Sequence, residues 1–183
     1  MKEILFATGN AGKIMEAQAI LQVPVEIASI KIDEVQSMDL EYVAREKAKA
    51  AYERLRRPVI IDDVGVFIEA WNGFPGPLAK FILDKLGNVG ILGLLAREKN
   101  RNVVVRSAIG YHNGKDVHIF TGEVSGTLAF EERGTEGWGF DPIIIPNGET
   151  QTYAEMGLDK KNQLSHRRLA LDKLKQFLDS QNE

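Results

Sequence analysis

Between residues 8 and 13 the chain reads Thr8-Gly9-Asn10-Ala11-Gly12-Lys13, after a short apolar run and before apolar residues at helical spacing. Two glycines, two side chains that can donate hydrogen bonds and a lysine at a helix N-terminus can bind phosphate, largely through backbone N–H groups. The segment is not a Walker loop. Its glycines stand closer than in GxxxxGK[ST], and Ile14 occupies the place of the magnesium-binding hydroxyl. A plain turn, with Asn10 capping the helix and Lys13 solvated, fits the same residues. Further on, Asp62-Asp63 interrupts the apolar stretch that starts at Val59. Adjacent carboxylates there are costly to desolvate unless a cation or hydrogen-bond donors meet them. A magnesium ion would meet them, and Glu34, in the loop after the second strand, is an acid within reach of the same sheet edge. A strand-end turn with Asp62 as its cap is the alternative.

Gly137-Trp138-Gly139-Phe140-Asp141-Pro142 places two aromatics, each preceded by glycine, before an acid and a proline. Flat rings exposed by glycines can stack a purine, a contact worth roughly 1–3 kcal/mol; burial in the core and a turn at Asp141 are the plainer account. Lys161 and Ser165-His166-Arg167-Arg168 stand at the start of the final helical pattern, with Ser165 as the expected N-cap. Positive charge at a helix N-terminus opposes the macrodipole. An anion or an acceptor-rich base beside Lys161, His166, Arg167 and Arg168 therefore accounts for them better than solvation alone.

The elements that must hold these residues are legible in outline. Ile4–Ala7 predicts a strand, a tight turn follows, and Ile14, Ala17, Ile20 and Leu21 recur as one helix face. Val25–Ile30 reads as a second strand, and Leu40 to about Leu55 as a helix of good helix formers. Pro58 opens the strand that carries the two aspartates, and Gly73, Pro75, Gly76 and Pro77 mark a loop. Two short helical patterns follow, Phe81–Leu86 and Ile91–Ala96. Val103–Tyr111 and Val117–Phe120 around Asn113-Gly114 predict a hairpin with a type I′ turn. Ile143–Ile145 reads as a buried strand, and Ala170, Leu171, Leu174, Phe177 and Leu178 as the face of a closing helix. Strand-helix alternation first and hairpins second predict an α/β fold: a mixed, twisted sheet flanked by helices, with a cleft where the two halves meet.

Composition bounds the function. The chain has 183 residues, and 23 Lys+Arg against 26 Asp+Glu give a net charge of −3. That balance argues against a nucleic-acid coat or a polybasic membrane binder. Apolar residues make up 44% and charged residues 27%, as in a folded globular protein rather than a disordered one. With no cysteine, disulfides, thiolate catalysis and zinc-cysteine sites are excluded, so any metal is held by oxygen or imidazole. The longest apolar run, Val89–Ala96, is far short of the roughly twenty residues of a membrane span. The N-terminal apolar stretch is too short for a signal-peptide core. The expectation is one cytoplasmic domain over residues 1–183.

TGNAGK, DEVQ, IDDVG, GFPGP, GWGFDPIIIP and KNQLSHRR, in this order over nearly the whole chain, resemble the inosine triphosphate pyrophosphatase family, which acts on non-standard purine nucleoside triphosphates. The resemblance implies Mg²⁺-dependent hydrolysis of ITP, dITP and XTP to the monophosphate and pyrophosphate, an elongated two-lobed α/β fold with a central cleft, and a homodimer. It assigns Thr8, Gly9, Asn10 and Lys13 to the triphosphate loop, Glu34 and Asp63 to the metal, Asp63 also to the base that activates water, and Asp62 to the neighbouring acid. Lys47 resembles a lysine that contacts substrate. Trp138, Gly139, Phe140 and Asp141 match the base-stacking wall, and Lys161, His166 and Arg167 match residues that bind and read the purine. Two positions depart from the pattern: Val64 replaces a frequent Ser or Thr, and Leu78 a frequent aromatic. The rival expectations are a pyrophosphatase for pyrimidine or other modified triphosphates, and a nucleotide-binding module without turnover.

Overall fold

The computed structural model describes residues 3–181. β1 (Ile4–Ala7) pairs in parallel with β2 (Val25–Ala28) and with β3 (Val59–Ile68), and the crossovers are α1 (Ala11–Leu21) and α2 (Leu40–Leu55). From β3 onward the sheet is antiparallel, through β5 (Asn102–His112), β6 (Val117–Leu128) and β7 (Ile144–Pro146), with the short β4 (Pro75–Gly76) on the far end of β3. The strand order is β2-β1-β3-β5-β6-β7. β3 is thus the strand at which the two halves of the sequence pattern meet, and it carries the two aspartates.

Helices cover both faces. α1 and α5 (His166–Ser180) pack over one, around Phe6, Leu21, Ile60, Ile109, Leu171 and Leu174; α2 covers the other, around Leu5, Ala7, Ala44, Ala48, Ile61 and Ala108. Beyond β3's midpoint a third apolar cluster, including Val66, Ile68, Ile91, Leu95 and Ile143, takes in α3 (Ala79–Leu94) and α4 (Tyr153–Leu164). Among the described residues no helix is long and apolar enough to cross a membrane.

Several local expectations change, among them that β6 runs on to Leu128 and that β7 is Ile144–Pro146. β2 ends at Ala28, not Ile30. Asp62-Asp63 does not end a strand: β3 runs straight through, pairing Asp62 with Ile109 and Asp63 with Ala108. Successive residues of a strand face opposite sides, so Asp62 lies with Ile60 on the α1/α5 face and Asp63 with Ile61 on the α2 face. The hairpin connection spans residues 113–116; Gly114 has φ 106°, while Asn113 is not left-handed, as a type I′ turn would require. Instead the Asn113 side chain accepts the N–H groups of Lys115 (2.8 Å) and Asp116 (2.7 Å) and holds the wider turn. Finally, Lys161 belongs to the last turn of α4, a helix the periodicity did not show because non-helical Gly157 (φ 76°, ψ 169°) breaks it.

Candidate active site

The Thr8–Lys13 segment joins β1 to α1. Asn10 caps the helix by accepting the Lys13 N–H (3.1 Å), and Thr8 Oγ1 accepts the Asn10 N–H (3.1 Å), so the loop is held by its own side chains while Gly9, Asn10 and Ala11 stay exposed. An exposed helix start of this kind suits an anion. Lys13 is not solvated. Its Nζ donates to the Asp62 backbone carbonyl at 2.7 Å and stands 3.2 Å from Asp62 Oδ2.

From there a chain of buried charges crosses the α1/α5 face. Asp62 accepts Ser107 Oγ–H (2.7 Å) and Arg167 Nε–H (2.9 Å). Arg167 also pairs with Glu16, Lys161 bridges Glu16 (2.7 Å) and Asp141 (2.7 Å), and Asp141 accepts the Trp138 backbone N–H (2.8 Å). Burial would raise Asp62 and Glu16, but Arg167 with Lys13, and Arg167 with Lys161, outweigh it and hold both carboxyls below the usual range. At Asp141 burial wins over Lys161 and the pKa is raised. The charges of Lys161 and Arg167, for which the helix dipole called for an anion or an acceptor-rich base, are therefore balanced by carboxylates of the chain itself, while Arg167 Nη2 stays without a partner. The line runs unbroken from the phosphate-type loop to the aromatic loop.

The aromatic loop divides its two rings. The Trp138 ring lies 5.2 Å from both Lys161 Nζ and the Arg167 guanidinium carbon, and it fits only because Gly12 has no side chain: a Cβ there would stand 2.1 Å from the indole nitrogen. Phe140 instead packs against the third apolar cluster. Gly139 (φ 67°) allows the reversal between them. Around Trp138 several buried polar atoms lack partners: Trp138 Nε1, Tyr153 Oη, His166 Nδ1 and Arg167 Nη2. Burial, with Arg167 and Lys161 adding repulsion, holds the His166 imidazole well below its ordinary pKa and hence neutral.

On the opposite face of β3, Asp63 is half-buried, and its Oδ1 accepts the Val64 N–H (3.0 Å). Burial, opposed by Lys47 and Lys13, raises its pKa. Glu34, Asp63, Leu78 and Phe81 line one small cleft, and Lys47 of α2 reaches in to bond Glu34. Phe81, one turn beyond Leu78, gives this cleft an aromatic ring. Val64 packs against apolar side chains of the third cluster. The loop, Asp62 with its cations, and the aromatic loop thus share one face, while Glu34, Lys47 and Asp63 share the other.

The family model described as the Ham1 family matches residues 4–177. The chain belongs to the Ham1 family. A protein of Methanopyrus kandleri named dITP/XTP pyrophosphatase is 46% identical over 180 residues, covering 96% of this chain and 95% of its own. One of Methanosarcina mazei with the same name is 44% identical over 176 residues, covering 94% and 95%. The solved structure of a HAM1 protein from Coxiella burnetii superposes with a TM-score of 0.84 at 28% identity, over 98% of this chain and all (100%) of that one.

Among the site residues of this Ham1 family member, sequence reasoning missed Glu16, Ser107 and Tyr153. A signal existed for Glu16: it lies four residues after Gly12 and beside Ala17, on the face of α1 that is otherwise small or apolar. An acid on such a stripe needs a buried partner. Ser107 and Tyr153 had no such mark, since a serine in a strand and a tyrosine before a helix are ordinary core residues.

Proposed function

We propose that the protein hydrolyses non-standard purine nucleoside triphosphates, dITP and XTP with ITP, to the monophosphate and pyrophosphate. The observation that carries this reading is the set of unmet buried donors around Trp138, with the indole N–H and an Arg167 N–H among them, one ion-pair chain away from a helix N-terminus that suits phosphate. A purine with oxo groups supplies acceptors to those donors. Adenine would set its own N6–H₂ donor against them, and a site built to hydrogen-bond one group rejects an analogue lacking it by roughly 10⁴-fold. The names of the relatives support the same substrate class.

The chemistry follows from the two faces of β3. On the loop side, Lys13 and the exposed N–H groups of the α1 start bind the phosphates and offset charge on the departing pyrophosphate; Lys47 reaches the same phosphates from α2. On the cleft side, Asp63, its pKa raised by burial, takes a proton from the water that attacks the α-phosphorus. Glu34 and Asp63 would hold Mg²⁺. Among the described residues no group of three or more acidic or histidine side chains is gathered, and two carboxylates fit an ion that takes its other ligands from water and substrate phosphates. When bound it supplies charge neutralisation on the phosphate oxygens. The family resemblance further supports a cytoplasmic homodimer of one two-lobed domain.

The test is pyrophosphate release, with Mg²⁺, from ITP, dITP, XTP, GTP, ATP and dUTP, with products separated. Rapid IMP and XMP formation with ATP nearly untouched is expected. Turnover of pyrimidine triphosphates alone would move the protein to another substrate class, and tight binding without turnover to a sensor. Asp63→Asn is expected to lower kcat by about 10²-fold or more, the range of a general base, with an unchanged melting curve.

A further inference from the structure

Lys47 occupies charge that a divalent cation would use. Its ammonium bonds Glu34 Oε1, and Glu34 lines one small cleft with Asp63. The Lys47 side chain is only 14% exposed against 46% for Glu34, so the lysine is the buried partner of the pair and the carboxylate the solvent-facing one. Lys13 is differently engaged: the Asp62 carbonyl and carboxylate hold it.

We infer that Lys47 is an internal counter-ion of the Glu34/Asp63 cleft, exchanged for the metal when a triphosphate arrives. The ammonium leaves Glu34 for the phosphate oxygens, and Glu34, so released, joins Asp63 in taking the cation. The inference rests on the triphosphate reading above and extends it to the order of events. An ammonium and a divalent cation repel each other at one carboxylate, so each must wait for the other to leave. Triphosphate removes the ammonium, so metal and nucleotide bind with positive coupling, and by linkage each strengthens the other equally. A static Lys47–Glu34 pair that only braces α2 against the loop would show no such coupling.

The probe is Mn²⁺ alone, titrated into nucleotide-free enzyme and followed by electron paramagnetic resonance of the free ion. Lys47→Met keeps the alkyl stem and removes the charge; it is expected to bind Mn²⁺ at least about tenfold more tightly than the unsubstituted protein. Lys49→Met, which removes an exposed lysine of the same helix, is expected to leave Mn²⁺ affinity unchanged. In the reverse direction, Glu34→Gln frees the ammonium, and binding of α,β-imido inosine triphosphate in EDTA is expected to tighten several-fold, read by calorimetry. Equal or weaker Mn²⁺ binding by Lys47→Met would overturn the exchange, as would unchanged analogue binding by Glu34→Gln; should Lys47→Met not fold, the second experiment decides alone. A protein that turns over no triphosphate but shows both shifts would lose the proposed function and keep the exchange.

Discussion

Glu16 faces two cations, Arg167 and Lys161, from a fully buried position. Removing one partner of a buried ion pair leaves charge stranded in a poor solvent, which costs far more than the intact pair contributes. Glu16→Gln is therefore expected to destabilise the fold by about 3 kcal/mol, read from the midpoint of urea unfolding at constant slope. Asp84→Asn, in an exposed pair with Lys80 whose side chains are 53% and 82% accessible, is expected to shift the midpoint far less. At Gly12 the cost is steric. An added methyl would meet the Trp138 indole at 2.1–2.5 Å, so Gly12→Ala must push the ring off Lys161 and Arg167. The expected result is a change in tryptophan emission and a raised KM for ITP, with kcat altered less, since the phosphate loop's own bonds are untouched.

α2 is the element that delivers Lys47 to the cleft, and its start is fixed by Asp39, whose carboxylate accepts the N–H groups of Glu41 (3.0 Å) and Tyr42 (3.1 Å). Asp39→Ala removes acceptors from an exposed helix end and is expected to cost about 1 kcal/mol, checked by thermal unfolding. Elements with a clean period or a cap were legible in the sequence: α1 with Asn10, α2 between Leu40 and Leu55, α5 with Ser165. Where the sequence misled, a local rule met a stronger tertiary one. The Asp62-Asp63 pair looked like the end of a strand because carboxylates are costly in a sheet, yet Arg167, Lys13 and Ser107 arrive from distant segments to pair Asp62. No spacing within β3 could announce them. The counter-charges of Arg167 and Lys161 were hidden in the same way, since they come from α1, β3 and the aromatic loop. The residue types of the site were thus visible in the sequence, while their division between two faces of one strand became visible only once β3 was seen to continue.

At the scale of the molecule, the charge chain ties the fold's stability to pH, and the sign can be worked out group by group. Asp62 and Glu16 have folded-state pKa values below their ordinary 3.8 and 4.5, so the unfolded chain takes up protons first as pH falls; their stabilisation is present above those values and lost below them. His166 is also lowered, from 6.5, by burial and by Arg167 and Lys161, against the pull of Asp62. The unfolded chain again binds the proton first, but the window is higher: His166 has no cost above its ordinary value and an increasing one below it. Through Asp62, Glu16 and His166 stability is expected to fall in two stages on acidification, while Asp63 and Asp141, whose pKa values are raised, act in the opposite sense. The first begins near pH 6.5, with a slope from this residue that approaches about 1.4 kcal/mol per pH unit, the limit for one proton; the second begins near pH 4.5. His166→Gln removes the titrating ring, so urea unfolding measured from pH 8 to pH 4 is expected to lose the first stage and keep the second. An unchanged first stage in His166→Gln would overturn the assignment of that stage to His166.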